Sequence, residues 1–177
     1  MKAVLKKIGE AGIEVVDVPY PKLKPGYVIV KVKAAGICGS DLHSYLQTTA
    51  RFPEEPIGHE GAGEVAEVGA GVEDFVVGDR VTYNPHAPRT NQFCGKCIFC
   101  LTGRPLGCPE RPNMRLTDGG CMAEYQSIKA TALFKLPRNV SYDVGSVVEP
   151  FGVSYHGVLE TSSLKEDQTI VFLVQAL

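Results

Sequence analysis

The sequence predicts a mainly β fold with short helices: a compact, barrel-like β domain that carries a separate loop lobe. Three observations lead there. Short apolar runs alternate with polar residues at the two-residue period of a half-buried strand. Glycine and proline punctuate these runs at short intervals, as in small, strongly curved sheets. One stretch, residues 84–118, loses all periodicity and instead gathers Pro85, Pro88, Pro105, Pro109 and Pro112 around four cysteines.

Taken in order, Ile13-Glu14-Val15-Val16-Asp17-Val18 is a candidate strand closed by Pro19 and Pro21. Tyr27 to Ala35 alternates, with Val28, Val30 and Val32 on one face and Lys31 and Lys33 on the other. Gly63 to Val68 and Arg80 to Tyr83 are further short strands, with glycine turns at Gly69, Gly71 and Gly78. After the loop lobe, Ala123 to Ile128 resumes β character. From Ser141, a plausible N-cap, the pattern becomes helical, with Val144, Val147 and Val148 at helix spacing. Pro150 either breaks that helix or starts another, running to about Glu160, at its first position. Thr169 to Val174 is a buried-strand candidate.

Composition excludes several classes. At 177 residues the chain is long enough for one domain with its own core. A formal net charge of −2 offers no electrostatic case for nucleic acid or an anionic membrane. Met1-Lys2-Ala3-Val4-Leu5-Lys6-Lys7 does not read as a secretory leader, and Ile170 to Val174 is too short to span a bilayer. A cytoplasmic protein is expected. Six cysteines could form disulfides, but without a leader, and with good strand patterns, reduced metal-binding thiols fit better.

Cys94, Cys97, Cys100 and Cys108 have the spacing C-x2-C-x2-C-x7-C. Four thiolates so placed can close a tetrahedral shell around Zn²⁺ and leave no position for substrate, so this reads as a structural site. A metal would also replace the core that residues 84–118 cannot build. A second constellation is dispersed: Cys38 and Ser40-Asp41-Leu42-His43, then Gly58-His59-Glu60, then Glu149-Pro150. One thiol, one imidazole and carboxylates form the mixed donor set of a zinc site with an open position. Each piece alone has a plainer reading: Cys38 as a small buried side chain, His59 as a hydrogen-bonded histidine, Ser40 and His43 as the cap and surface of a short helical turn.

Together these motifs resemble the zinc-dependent medium-chain dehydrogenases, the family of alcohol, polyol and threonine dehydrogenases. The resemblance rests on Gly36-Ile37-Cys38-Gly39-Ser40-Asp41-Leu42-His43, on Gly58-His59-Glu60 with Gly61 and Gly63, and on Gly78-Asp79-Arg80-Val81. It rests also on the cysteine lobe, Ala123-Glu124-Tyr125 and Val148-Glu149-Pro150-Phe151-Gly152. It implies a GroES-like β-barrel catalytic domain over residues 1–160, with a structural zinc lobe at about 84–118. Cys38 and His59 match the constant ligands of a catalytic zinc. Glu149 falls where a third ligand, or a carboxylate holding the metal's water, is found; Glu60 matches a nearby carboxylate that can also bind the metal. Ser40 and His43 match a proton relay from substrate to solvent, and Cys94, Cys97, Cys100 and Cys108 match the structural zinc. Cys121 matches no ligand and reads as a core thiol.

The implied activity is oxidation of a secondary alcohol, polyol, sugar or diol, with hydride passing to NAD or NADP. Two zinc ions per chain and homo-oligomers are implied as well. The family's nucleotide-binding Rossmann half is not matched: residues 161–177 read as a linker and the first strand of such a domain, with no G-x-G-x-x-G after Val174. Gly61-Ala62-Gly63-Glu64-Val65-Ala66 fits G-x-G-x-x-A but follows no strand and opens no helix, so tight packing explains it better. A different function class stays open: a stand-alone zinc-binding β domain without redox activity, acting as a binding or assembly module.

Overall fold

The computed structural model describes residues 1–48, 55–83, 96–104, 107–109, 117–160, 162, 164–165, 167–169 and 171. Strands β1 (Lys2–Lys6) and β2 (Ile13–Asp17) form an antiparallel hairpin. The main sheet holds β3 (Tyr27–Ala35), β4 (Gly61–Val68), β5 (Arg80–Tyr83), β6 (Thr117–Asp118), β7 (Tyr125–Lys129) and β8 (Leu133–Lys135). Its order is β6-β7-β3-β4-β5-β8 and every pairing is antiparallel. Single bridges, Ala3 to Ala123 and Leu5 to Pro56, lay β1 against this body. Helices are short: α1 (Gly39–Leu46), α2 (Ile98–Leu101), α3 (Tyr142–Ser146) and α4 (Val148–Tyr155), the last continuing as a π-turn over His156–Glu160.

The core lies on the inner face of the curved sheet, where Val28, Val30, Val65, Val81, Tyr83, Cys121, Ile128 and Leu133 pack together. Burying each large aliphatic side chain contributes roughly 1.5–3 kcal/mol. The expected alternation along β3 holds only toward its C-terminal end. Val28, Ile29 and Val30 are all buried in succession, because α3 packs on the sheet's second face. Register shifts at Ile29/Val30 and Val32/Ala34 keep the valines on the core side despite the curvature.

Several boundaries differ from expectation. β4 starts at Gly61, two residues early, and its glycines are where neighbours approach most closely. A Cβ on Gly63 would lie 2.3 Å from the Lys31 carbonyl oxygen, and one on Gly61 2.8 Å from both Cys121 Cβ and Tyr83 Cε1. These glycines thus serve strand packing. β7 runs Tyr125–Lys129, with Ala123 only bridging to β1. The Thr169 to Val174 strand lies outside the described residues except for Thr169 and Val171. Most of residues 161–177 and all of the lobe's 84–95 stretch lie outside them too.

The helical segment departs furthest from its pattern. Ser141 caps α3 as expected, its Oγ accepting from Val144 N–H at 3.2 Å. Val144, Val147 and Val148, however, are exposed; the buried positions are Gly145, Ser146 and Glu149. Gly145 fits there because a Cβ would meet Leu136 Cδ2 at 2.8 Å and Ala62 Cβ at 3.0 Å. Thr82 Oγ1 then donates its hydroxyl toward Gly145 O (2.8 Å) or Gly61 O (3.1 Å). Pro150 sits third in α4, after Val148 and Glu149, where no intrahelical acceptor is lost because the first four N–H groups of a helix have none.

Arg80 and Asp79 of the Gly78-Asp79-Arg80-Val81 motif are structural. Arg80 Nη1 donates to the carbonyls of Pro137 (2.8 Å) and Arg138 (3.0 Å), Nη2 to that of Val140 (2.5 Å), and the guanidinium stacks 4.5 Å from the Tyr142 ring centre. This ties β5 to the turn that leads into α3, and so sets where α4 and Glu149 begin.

Candidate metal centre

Two strand ends create the first cluster. β3 and β4 pair to their shared end, Ala35 opposite Gly61, and Gly36 N–H extends the ladder by donating to Glu60 O at 2.7 Å. The chain leaving β3 therefore runs beside the chain entering β4. Cys38 on the first and His59-Glu60 on the second converge: one donor atom from each of the three lies within 4.8 Å of the others. Glu60 is buried, while Cys38 and His59 are partly exposed, so the group has a closed floor and an open side. A sulfur, a nitrogen and an oxygen at this spacing fit a Zn²⁺ with a free coordination position.

Asp41 carries no donor motif of its own in the sequence, but it sits three residues beyond Cys38 in the position of a capping-box carboxylate. Cys38 is the N-cap of α1, and its N–H donates to Asp41 Oδ2 at 2.9 Å. The other oxygen, Oδ1, lies 3.9 Å from His59 Nδ1, and the Asp41 side chain is only 10% exposed. A buried carboxylate facing one ring nitrogen orients an imidazole and leaves the other nitrogen for a ligand role. Asp41 thus touches both segments of the cluster.

Glu149, second in α4, is buried beside this group without joining its tight set of donors. Burial pushes its carboxyl above the ordinary range; Glu60 adds to that rise and His59 opposes it. Ser40 and His43 both lie on α1, three residues apart and hence on one face, and both are exposed. The structure records no hydrogen bond between their side chains.

Beneath the His59-Glu60 segment the packing is dense. Cys121 N–H donates to Gly58 O at 3.1 Å, and the Cys121 side chain is 1% exposed; burial pushes its thiol up to about 11. The neighbouring Tyr83 hydroxyl is buried with no hydrogen-bond partner among the described residues, and burial holds its pKa well above 10.

In the cysteine lobe, Cys97 caps the short α2, and Cys100 lies on its one turn. Their sulfurs are 3.5 Å apart, far beyond the ~2.05 Å of a disulfide, and Cys108 joins them with all donor atoms within 4.8 Å. Cys94 lies outside the described residues.

No described helix is long and apolar enough to cross a membrane. The alcohol dehydrogenase GroES-like domain family matches residues 24–138. An L-threonine 3-dehydrogenase of Escherichia coli is 37% identical over 172 residues, 94% of this chain and 49% of that protein. One of Bacillus licheniformis is 39% identical over 163 residues, 90% and 46% of the two chains. Among solved structures, 2R,3R-butanediol dehydrogenase from Bacillus subtilis superposes with a TM-score of 0.73 at 36% identity, covering 93% of this chain and 48% of that one. Galactitol-1-phosphate dehydrogenase from Escherichia coli gives 0.72 at 31%, covering 88% and 44%. The chain spans about half the length of the curated relatives it matches. With its antiparallel sheet, its two donor clusters and these matches, the chain belongs to the zinc-dependent medium-chain dehydrogenases, as their alcohol dehydrogenase GroES-like domain.

Proposed function

We propose that this chain is the metal-binding catalytic portion of a dehydrogenase that oxidises a secondary alcohol, polyol, sugar or diol, with hydride passing to NAD or NADP. The convergence of Cys38, His59 and Glu60 supports this reading most strongly. These three would hold a zinc ion, with Glu149 as a second carboxyl beside them; Cys97, Cys100 and Cys108, with Cys94, would hold another. A bound Zn²⁺ supplies Lewis acidity, polarising a substrate hydroxyl so that it ionises near neutral pH.

The chain's own residues supply the rest. Asp41 accepts the Cys38 amide and sets its charge 3.9 Å from His59 Nδ1, which favours one orientation of the donors before a metal or substrate arrives. Ser40 and His43, exposed on the same face of α1, are the residues that would carry the substrate proton toward solvent, Ser40 Oγ giving up its own hydroxyl proton as it accepts one. Glu149 is buried beside His59 and Glu60 and would supply a second carboxyl next to the metal. The described residues contain no parallel sheet with a glycine-rich turn, so the nicotinamide would be cradled by residues outside them. Of two solved structures similar to this chain, one is complexed with NADH and the other bound to NADP. Its named relatives act on threonine, a butanediol and a sugar-alcohol phosphate, which favours a hydroxyl flanked by a second polar group.

The test is zinc content and dehydrogenase rate of the full-length protein against a panel of diols, polyols and hydroxy amino acids. Cys38→Ser should remove one zinc and nearly all turnover. A Cys38→Ser protein at full rate would overturn the reading. Two bound zinc ions without nicotinamide affinity would point to the assembly module instead.

A further inference from the structure

Resting on the metal-centre reading above, the position of Glu60 can be traced to a residue that contributes no donor. The Glu60 carbonyl accepts from Gly36 N–H at 2.7 Å, and its carboxylate folds back over the same glycine. A Cβ on Gly36 would lie 2.2 Å from Glu60 Oε2, 3.0 Å from its Cβ and 3.3 Å from its Cδ. The segment cannot yield by sliding. A Cβ on Gly58, just before His59, would lie 2.8 Å from Met122 Cγ and 3.0 Å from Cys121 Sγ. Gly61, just after Glu60, is closed off by Cys121 and Tyr83. Gly36 itself is not in the left-handed backbone region, so its conformation permits alanine.

We propose that Gly36 is a positioning residue: the space left by its missing Cβ is the slot that holds the Glu60 carboxylate within reach of Cys38 and His59. Any side chain at 36 must push that carboxylate by about 1 Å, beyond the ~0.5 Å tolerance of a preorganised site. The main chain on either side is too tightly packed to follow.

The test uses the full-length protein loaded with Cd²⁺, read by cadmium NMR, which separates a one-thiolate site from a thiolate-rich one, and by chelator competition. Gly36→Ala should move the one-thiolate resonance as Glu60→Ala does, weaken that site roughly tenfold to a hundredfold, and leave the thiolate-rich resonance in place. In a Glu60→Ala background, Gly36→Ala should add nothing further. If Gly36→Ala leaves the resonance unmoved, or adds an equal loss in the Glu60→Ala background, the proposal is wrong. If Glu60→Ala alone moves nothing, the metal-centre reading itself falls, and this proposal with it. Should Gly36→Ala fail to fold by circular dichroism, recovery of folding in the double variant supports the slot, and an unfolded double variant overturns it.

Discussion

Replacing Asp41 tests how the first cluster is held together. Asp41 accepts the Cys38 N–H at 2.9 Å at the start of α1 and faces His59 Nδ1 at 3.9 Å with its other oxygen. Asp41→Ala strands an amide that no helical carbonyl can serve. A hydrogen bond to a charged acceptor at such a site contributes about 2 kcal/mol, and for a domain of this size each kcal/mol moves Tm by roughly 2–4 °C. The metal-free Asp41→Ala protein should therefore melt about 4–8 °C lower. It also loses the carboxylate that orients the His59 ring, which should weaken zinc at this centre by about 10–100-fold. Asp41→Asn separates the two effects: its amide oxygen still accepts the Cys38 N–H, so most stability returns, while the charge facing His59 does not. Thermal melts of metal-free protein and chelator competition on loaded protein read the two quantities. If Asp41→Ala melts normally and binds zinc normally, Asp41 does not bridge the cluster and the argument fails.

Arg80→Ala should cost about 2 kcal/mol, since three carbonyls and the Tyr142 ring lose one shared donor, and Arg80→Lys should recover little because an ammonium cannot span them; urea midpoints decide. Gly145→Ala sets helix propensity, worth about 1 kcal/mol in its favour, against contacts at 2.8 and 3.0 Å. Overpacking of about 1–3 kcal/mol should win, so the variant should be less stable and not more. Asp79 has its carboxyl held below the usual range, first by the Val76 N–H and then by Lys135. A depressed carboxyl stabilises the fold above its unfolded pKa of about 4 and loses that contribution as pH falls through its folded value. Asp79→Asn should therefore be about 1 kcal/mol less stable at neutral pH, with the gap closing in acid; denaturant titrations across pH check the sign.

Much of this fold and site could be read from residue order, and the parts that could not share a cause. β3 and β5 were predicted with the bounds they have, because two-residue alternation and glycine turns are local signals. Cys97, Cys100 and Cys108 lie together, as their short spacing allows. The valines after Ser141 misled, since their helical period says which residues share a face and not which face meets the sheet. Gly145, Ser146 and Glu149 take the buried side because only a glycine fits against Ala62 and Leu136.

From sequence alone, Cys38, His59, Glu60 and Glu149 could be named as donor candidates, with no means of ranking the two carboxylates. Which of the two lies with Cys38 and His59 is a tertiary matter. The β3–β4 ladder ends where it brings Glu60 beside Cys38, whereas Glu149 arrives from α4, anchored through α3 and Arg80, and is not part of the tight set. Donor chemistry is a property of residue types and spacings, so one dimension suffices to state it. Distances between segments separated by twenty to a hundred residues depend on register and packing, and those exist only once the chain has folded.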